Sequence, residues 1–333
     1  MRFAIVISQI KFWQHCCRRW DFVGWFLLTV SVFCCEVSAQ NWTEPEDVFS
    51  ASAGKSFYSP ESHLSYSNRQ YHCLDDPLCS QSDQPSFLFM PEGFIYPTYL
   101  GNPHEPRLGT QWVYEKDDGW LWDSTLGGRL GLLRWGPADR LEGVQLDILA
   151  AAKLRMDPNE GQDVRSVDFR VDVPITWGAG PHRFKLGYSH ISSHLGDEFL
   201  LKNMGFDRLN YFRDSVVLGY SYYPIPSVRL YGESAYAFWR EVAGPWRFTM
   251  GLDYAPPIPT GSQGAPFFAL NGDLREEVDF GGGVAAQAGW AWRSEHYPGL
   301  LRTGLSYYNG KSPQFSFFNQ HEEQIGWGLW YDF

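Results

Sequence analysis

The chain has 333 residues, a formal net charge of −11, 17% aromatic residues, 33 glycines and 21 prolines. That length admits one large β domain or two modest ones, and the composition suits many strands and tight turns rather than a helical protein. So acidic a chain is a poor partner for nucleic acid, whose phosphates require a basic surface.

Lys11, Arg18 and Arg19 precede an apolar run, FVGWFLLTVSVFCC, and Val37-Ser38-Ala39 puts small residues before Gln40. The pattern predicts a cleaved export signal over residues 1–39. The run is short for a membrane-spanning helix, which needs about 20 residues; a retained anchor is the alternative. Cys16, Cys17, Cys34 and Cys35 would leave with the signal. The remaining pair, Cys73 and Cys79, predicts a disulfide in an oxidising compartment. Residues 40–107 show little periodicity and are expected to be irregular, lying in the periplasm or entering the lumen of a C-terminal barrel.

From 108 to the end the texture alternates with period two. In SVDFRVDVPITW, Val167, Phe169, Val171, Val173, Ile175 and Trp177 share one face, and Asp168, Arg170 and Asp172 lie on the other. Val144, Leu146, Ile148, Ala150, Ala152, Leu154 and Met156 do the same against Asp147, Lys153 and Arg155. Twelve such segments are predicted: 109–116, 120–135, 142–156, 164–177, 182–194, 212–222, 227–239, 245–254, 266–273, 278–293, 299–308 and 323–333. Many reach the 9–11 residues with which a tilted strand crosses a bilayer. Tryptophans and tyrosines gather near strand ends, as interfacial girdles do. The fold class is therefore all-β: an antiparallel transmembrane β-barrel of about twelve strands behind an irregular N-terminal segment.

Ile325, Trp327, Leu329, Tyr331 and the terminal Phe333 alternate without a break. This ending resembles the C-terminal signal of bacterial outer-membrane barrels. It implies the outer membrane as location, outer-membrane lipids as surroundings and the barrel-assembly machinery as a partner.

With twelve strands both termini lie on the periplasmic side. Residues 182–194 make the fifth strand, which runs outward into a long connection over 195–211. Lumen-facing Asp147, Asp168, Arg170, Asp172, Arg229, Glu233 and Arg247 would line a narrow pore or form a closed ion-pair network. The proline-rich stretch 255–265 departs from the short periplasmic turns expected elsewhere.

The run GYSHISSHLGDE (187–198) carries the densest chemistry. By parity His190, Ser192 and His194 face outward with Leu186 and Tyr188. Ionisable groups facing lipid are costly and usually serve a purpose. A hairpin centred near residue 202 sets Asp214 opposite His190 and Asn210 opposite His194. Three readings are open: a polar strand rim without chemistry, an acyl-transfer site, or a metal site. His190 and His194 stand about 13 Å apart on a strand, too far to share zinc. Asp197 and Glu198 are the candidate calcium ligands, through oxygen, and no other cofactor is evident.

An outward His-x-Ser pair with an acid or amide on the neighbouring strand resembles the outer-membrane phospholipases and lipid A deacylases. Their motif is His-x-Ser-Asn-Gly; here Ser193 and His194 stand where Asn and Gly belong. The resemblance implies Ser192 as nucleophile, His190 as its general base and Asp214 as the orienting group, with Asn210 in reserve. More of the chain is similar to an uncharacterised family of bacterial outer-membrane-like proteins, through PEGFIYPTYLGNPHEPRLG (91–109) and SHLGDE (193–198). That likeness implies a secreted barrel and no particular activity.

Overall fold

A computed structural model describes residues 85–333. The expected export signal and the Cys73–Cys79 disulfide lie outside the described residues.

A short strand β1 (Ser86–Phe89) comes first, followed by β2 (Leu108–Glu115), β3 (Gly119–Gly136), β4 (Gly143–Asp157) and β5 (Asp163–Ala179). Next are β6 (His182–Leu195), helix α1 (Asp197–Lys202), β7 (Tyr211–Ile225), β8 (Val228–Glu241) and β9 (Trp246–Tyr254). The chain ends with β10 (Ala265–Arg275), β11 (Gly282–Arg293), β12 (Leu300–Lys311) and β13 (His321–Asp332). From β2 to β13 each strand pairs antiparallel with its chain neighbours, and β13 returns to pair with β2 from Gln324↔Glu115 to Tyr331↔Leu108. The ladder closes as a twelve-stranded barrel.

The expected strands recur with small shifts at their ends. The largest is in β11, which begins at Gly282 rather than near 278. A 3-10 turn over Glu276–Val278 and positive φ at Asp279 and Phe280 delay it. The stretch 255–264 does not disturb the count: it joins β9 to β10 through a 3-10 turn at Gly261–Gln263. One strand was not foreseen in the irregular segment. β1 pairs with Leu133–Gly136 of β3, the part of β3 below its ladder with β2.

The barrel's polarity is that of a membrane protein. Leu218, Leu305, Ile325 and Trp327 face outward and are each more than half exposed. Arg134, Arg155, Arg213, Arg275 and Arg302 point inward and are almost wholly buried. A closed barrel leaves no backbone edge unpaired, which is the requirement for crossing hydrocarbon with strands. Among the described residues no helix is long and apolar enough to cross.

The lumen is filled from both ends. From below, residues 91–107 pass through it, with Ile95, Tyr96, Tyr99, Asn102, His104 and Glu105 buried. Irregular backbone at this depth needs partners for its carbonyls, and wall arginines supply them. Arg134 donates to the carbonyls of Glu92 and Gly93 at 2.8 and 2.9 Å. Arg229 donates to those of Pro97 and Thr98 at 2.9 and 2.8 Å, and Arg302 to that of Leu100 at 3.2 Å. Arg107 folds back onto the carbonyls of Tyr99 and Leu100 at 2.7 and 2.8 Å. At Gly127 the insertion's backbone comes close to the wall: a Cβ there would sit 2.8 Å from the Arg107 backbone nitrogen.

From above, the β12–β13 connection folds inward. Phe315 and Phe317 are buried, the Phe315 amide donates to Asp168 at 3.2 Å, and Arg275 holds the Ser312 carbonyl at 3.2 Å. The two insertions meet where His104 stacks on Phe315, ring centroids 4.5 Å apart.

Candidate functional site

β6 alternates cleanly through HISSH. Ile191 and Ser193 point into the lumen and are buried, while His190, Ser192 and His194 take the outward parity. The register sets His190 opposite Asp214 and Ser192 opposite Phe212 on β7. His190 Nδ1 lies 2.6 Å from Asp214 Oδ1. The same oxygen accepts a hydrogen bond from the Tyr188 hydroxyl at 2.5 Å. A carboxylate on an apolar surface is costly unless paired and hydrogen-bonded, and two donors on one oxygen meet that need.

Asp214 sits at an irregularity. Between β7 and β8 the register jumps from Asp214↔Trp239 to Ser215↔Ala237, leaving Phe238 as the extra residue. Bulges re-aim side chains beside functional sites. Here the carboxylate is tucked against β6 and keeps only 4% exposure. Tyr188 and Phe238 pack at 6.4 Å, and Phe212 meets Trp239 edge-on at 5.4 Å, so the acid–imidazole couple has an aromatic surround.

The candidate nucleophile is less engaged. Ser192 Oγ makes no hydrogen bond among the described residues, so the serine–histidine link is open in this structure. Catalytic contacts of this kind often tighten only with substrate bound. Asn210, the reserve orienter, turns away and donates to Glu241 at 2.8 Å. His194 packs near Phe169, ring centroids 6.0 Å apart, and β6 continues to Leu195 beyond it. An unbroken strand keeps the two histidines too far apart for one ion.

Asp197 and Glu198 occupy the first turn of α1, exposed. Calcium takes six to eight oxygen ligands. Among the described residues no three His, Cys, Asp or Glu side chains gather into a metal site.

Two features are not evident from the sequence. Tyr188 shares the parity of His190, which was the available signal for its role beside Asp214. Ser193 has a lumenal role: its hydroxyl donates to Asp168 at 2.5 Å and lies 2.6 Å from the Ser316 hydroxyl, holding the upper insertion. His104 and Glu105 are loop residues, as expected, but buried ones; Glu105 pairs with Arg170 at 3.2 Å.

The lumenal charges form ion pairs. Arg129–Asp147 and Arg170–Asp172 meet at 2.7 Å, Lys185–Glu233 at 2.5 Å, Arg247–Asp273 at 2.6 Å and Arg229–Asp253 at 3.6 Å. Arg155 bridges Asp123 and Glu322 at 2.8 and 2.9 Å. Together with the two insertions, this network occupies the interior that a channel would need.

A family model described as "Protein of unknown function (DUF1207)" matches residues 140–333, from just before β4 to the end of the chain. The run 91–109 lies ahead of that match. No curated protein matches. Among solved structures, the outer membrane phospholipase dimer with bound calcium from Salmonella typhi is 13% identical at a TM-score of 0.47. The likeness covers 69% of this chain and 93% of that one. Outer membrane phospholipase A from Escherichia coli is 13% identical at 0.46, over 69% and 92% of the two chains. The KdgM porin is 10% identical at 0.39, over 68% and 99%.

Proposed function

The chain belongs to the DUF1207 family, and from that premise we propose that it is an outer-membrane barrel that hydrolyses acyl esters of outer-leaflet lipids. The observation that carries this reading is the 2.6 Å contact between His190 Nδ1 and Asp214 Oδ1 on the outward face, two residues from Ser192. An exterior of exposed Leu, Ile and Trp around a core of buried ion pairs supports placement in a membrane. Export by the N-terminal signal and insertion through the Phe333-ended strand belong to the same proposal.

In the proposed reaction Asp214 fixes the imidazole through Nδ1, and Nε2 turns to the serine when substrate binds. Ser192 Oγ attacks the ester carbonyl while its proton passes to Nε2. The tetrahedral intermediate collapses, the C–O bond breaks, and His190 returns the proton to the departing alcohol. Water then attacks the acyl-serine by the same base and releases the fatty acid. No step is routed through calcium, because Asp197 and Glu198 supply only two exposed carboxylates.

The test is release of fatty acid from phospholipid and lipid A by the purified protein, with and without calcium. Release by the wild type, lost in both Ser192→Ala and His190→Ala, is the expected result. No release, or equal release by Ser192→Ala, would leave the outward polar residues as a strand rim. A second reading, a non-enzymatic structural or binding barrel, is favoured by a Ser192 hydroxyl that has no hydrogen bond to any of the described residues. A pore finds no support in so occupied a lumen.

A further inference from the structure

The outward face beside the candidate site is not smooth. A shallow, open groove of about 490 Å³ lies on it over β2 to β5, floored by Gly128, Ala150 and Ala152 and flanked by Leu126, Phe169 and Val171. Arg170, which also borders it, turns its guanidinium into the lumen toward Asp172 and Glu105. No ionised side chain is therefore directed into the groove.

Its position is set by the register. Ser192 pairs with Phe169, Phe169 with Ala152, Ala152 with Leu126, and Leu126 with Leu108. A parallel row runs His190, Val171, Ala150, Gly128. Both rows start at the two residues of the candidate dyad and reach the groove at its walls, Phe169 and Val171; no residue of β6 lines it. From β6 to β2 is four strand steps, about 19 Å at the usual inter-strand spacing.

The rows also descend. Ser192 is three residues below the extracellular end of β6, and its partners on β5, β4 and β3 lie five to seven below theirs. Leu108 opens β2 at the periplasmic end. The groove therefore lies within the span of the strands rather than at their ends, at the depth where an acyl chain of the surrounding lipid would lie. Small residues supply the depth and flanking large ones the walls, and an apolar channel in the lipid-facing surface selects an apolar, elongated occupant.

We propose that this groove holds one acyl chain of a long-chain phospholipid substrate and thereby brings its ester to Ser192. The inference rests on the hydrolase reading for its purpose, but binding is measurable without catalysis. A single barrel carries the whole groove, so one copy suffices.

The experiment uses the full chain in detergent and a phospholipid with two sixteen-carbon ether-linked chains, which cannot be hydrolysed. Retained lipid is counted by native mass spectrometry. A Cβ added at Gly128 meets nothing within 4 Å, so Gly128→Phe with Ala150→Phe fills the groove from open space. Unchanged heat-modifiable migration of that variant verifies its fold. The expected result is lipid retained by the wild type and by Ser192→Ala, and reduced about tenfold or more in the filled variant. No retention by the wild type, or equal retention by the filled variant, overturns the proposal. So does a wild-type dimer that the filled variant breaks, which would make the groove an interface between copies. Fatty-acid release from ester lipids is scored separately. Retention without release would sink the hydrolase and leave the groove; release untouched by filling would do the reverse.

Discussion

Asp214 faces outward among aromatic rings, where a lone carboxylate would be unfavourable, and its Oδ1 takes contacts from both Tyr188 and His190. If that oxygen orients the imidazole, Asp214→Asn should lower fatty-acid release by up to about 10⁴-fold, the scale seen when a triad acid becomes an amide. Tyr188→Phe removes one hydrogen bond to a charged group and should cost about tenfold or somewhat more. Both variants should migrate as folded barrels, which separates chemistry from collapse. His104 tests a different residue, in the lumen. Burial, with Arg247, Lys153, Arg275 and Arg170 nearby, holds its pKa well below the ordinary 6.5. The folded protein keeps the ring neutral while the unfolded chain takes up a proton below that value. The stability from this burial is complete above about pH 6.5 and falls as the pH drops beneath it. Thermal unfolding followed between about pH 7.5 and 5 should show the decline in wild type and a flatter profile in His104→Gln.

Among the elements, the lower insertion depends on side chains of the wall. Arg229 and Arg302 hold carbonyls of residues 97–100, and Arg107 pairs with Asp332 at 3.4 Å. The wild type should therefore show little steady conductance in planar bilayers, and Arg107→Ala with Arg229→Ala should open intermittent channels. Large, persistent channels in the wild type would contradict the filled lumen. β13 poses a separate question. Its outward Ile325, Trp327 and Leu329 complete the barrel surface, and Phe333 packs edge-on against Tyr331 with ring centroids 5.2 Å apart. If the assembly machinery reads this end, Phe333→Ala should lower the amount recovered in outer membranes while leaving refolding in detergent unchanged. Equal recovery would remove the assembly machinery from the account.

For the molecule as a whole, alternation made the barrel legible because each strand has one apolar and one polar face. The strand count, the polarity and the His190–Asp214 pairing all come from that period and one hairpin centre. The lower insertion was legible only as one of two places for residues 40–107, the periplasm or the lumen, and the upper one not at all. Residues 91–107 and 312–320 have no period, and their burial comes from arginines scattered over many strands, such as Arg134, Arg229 and Arg275. β1 was missed because Ser86–Phe89 is too short to show a pattern, and it exists only because β3 outruns β2. The candidate site was half legible: parity placed His190, Ser192 and Asp214 on one surface, but parity says nothing of the Phe238 bulge or of the groove.

The central claim is that Ser192 is activated by His190 and Asp214 on the lipid-facing surface. The most direct test is labelling with a long-chain alkyl fluorophosphonate, which phosphonylates an activated serine with loss of fluoride. Peptide mass spectrometry should find the label on Ser192 in wild type, little in Asp214→Asn and none in His190→Ala. A wild-type Ser192 that stays unlabelled, or one labelled equally without His190, would contradict the account.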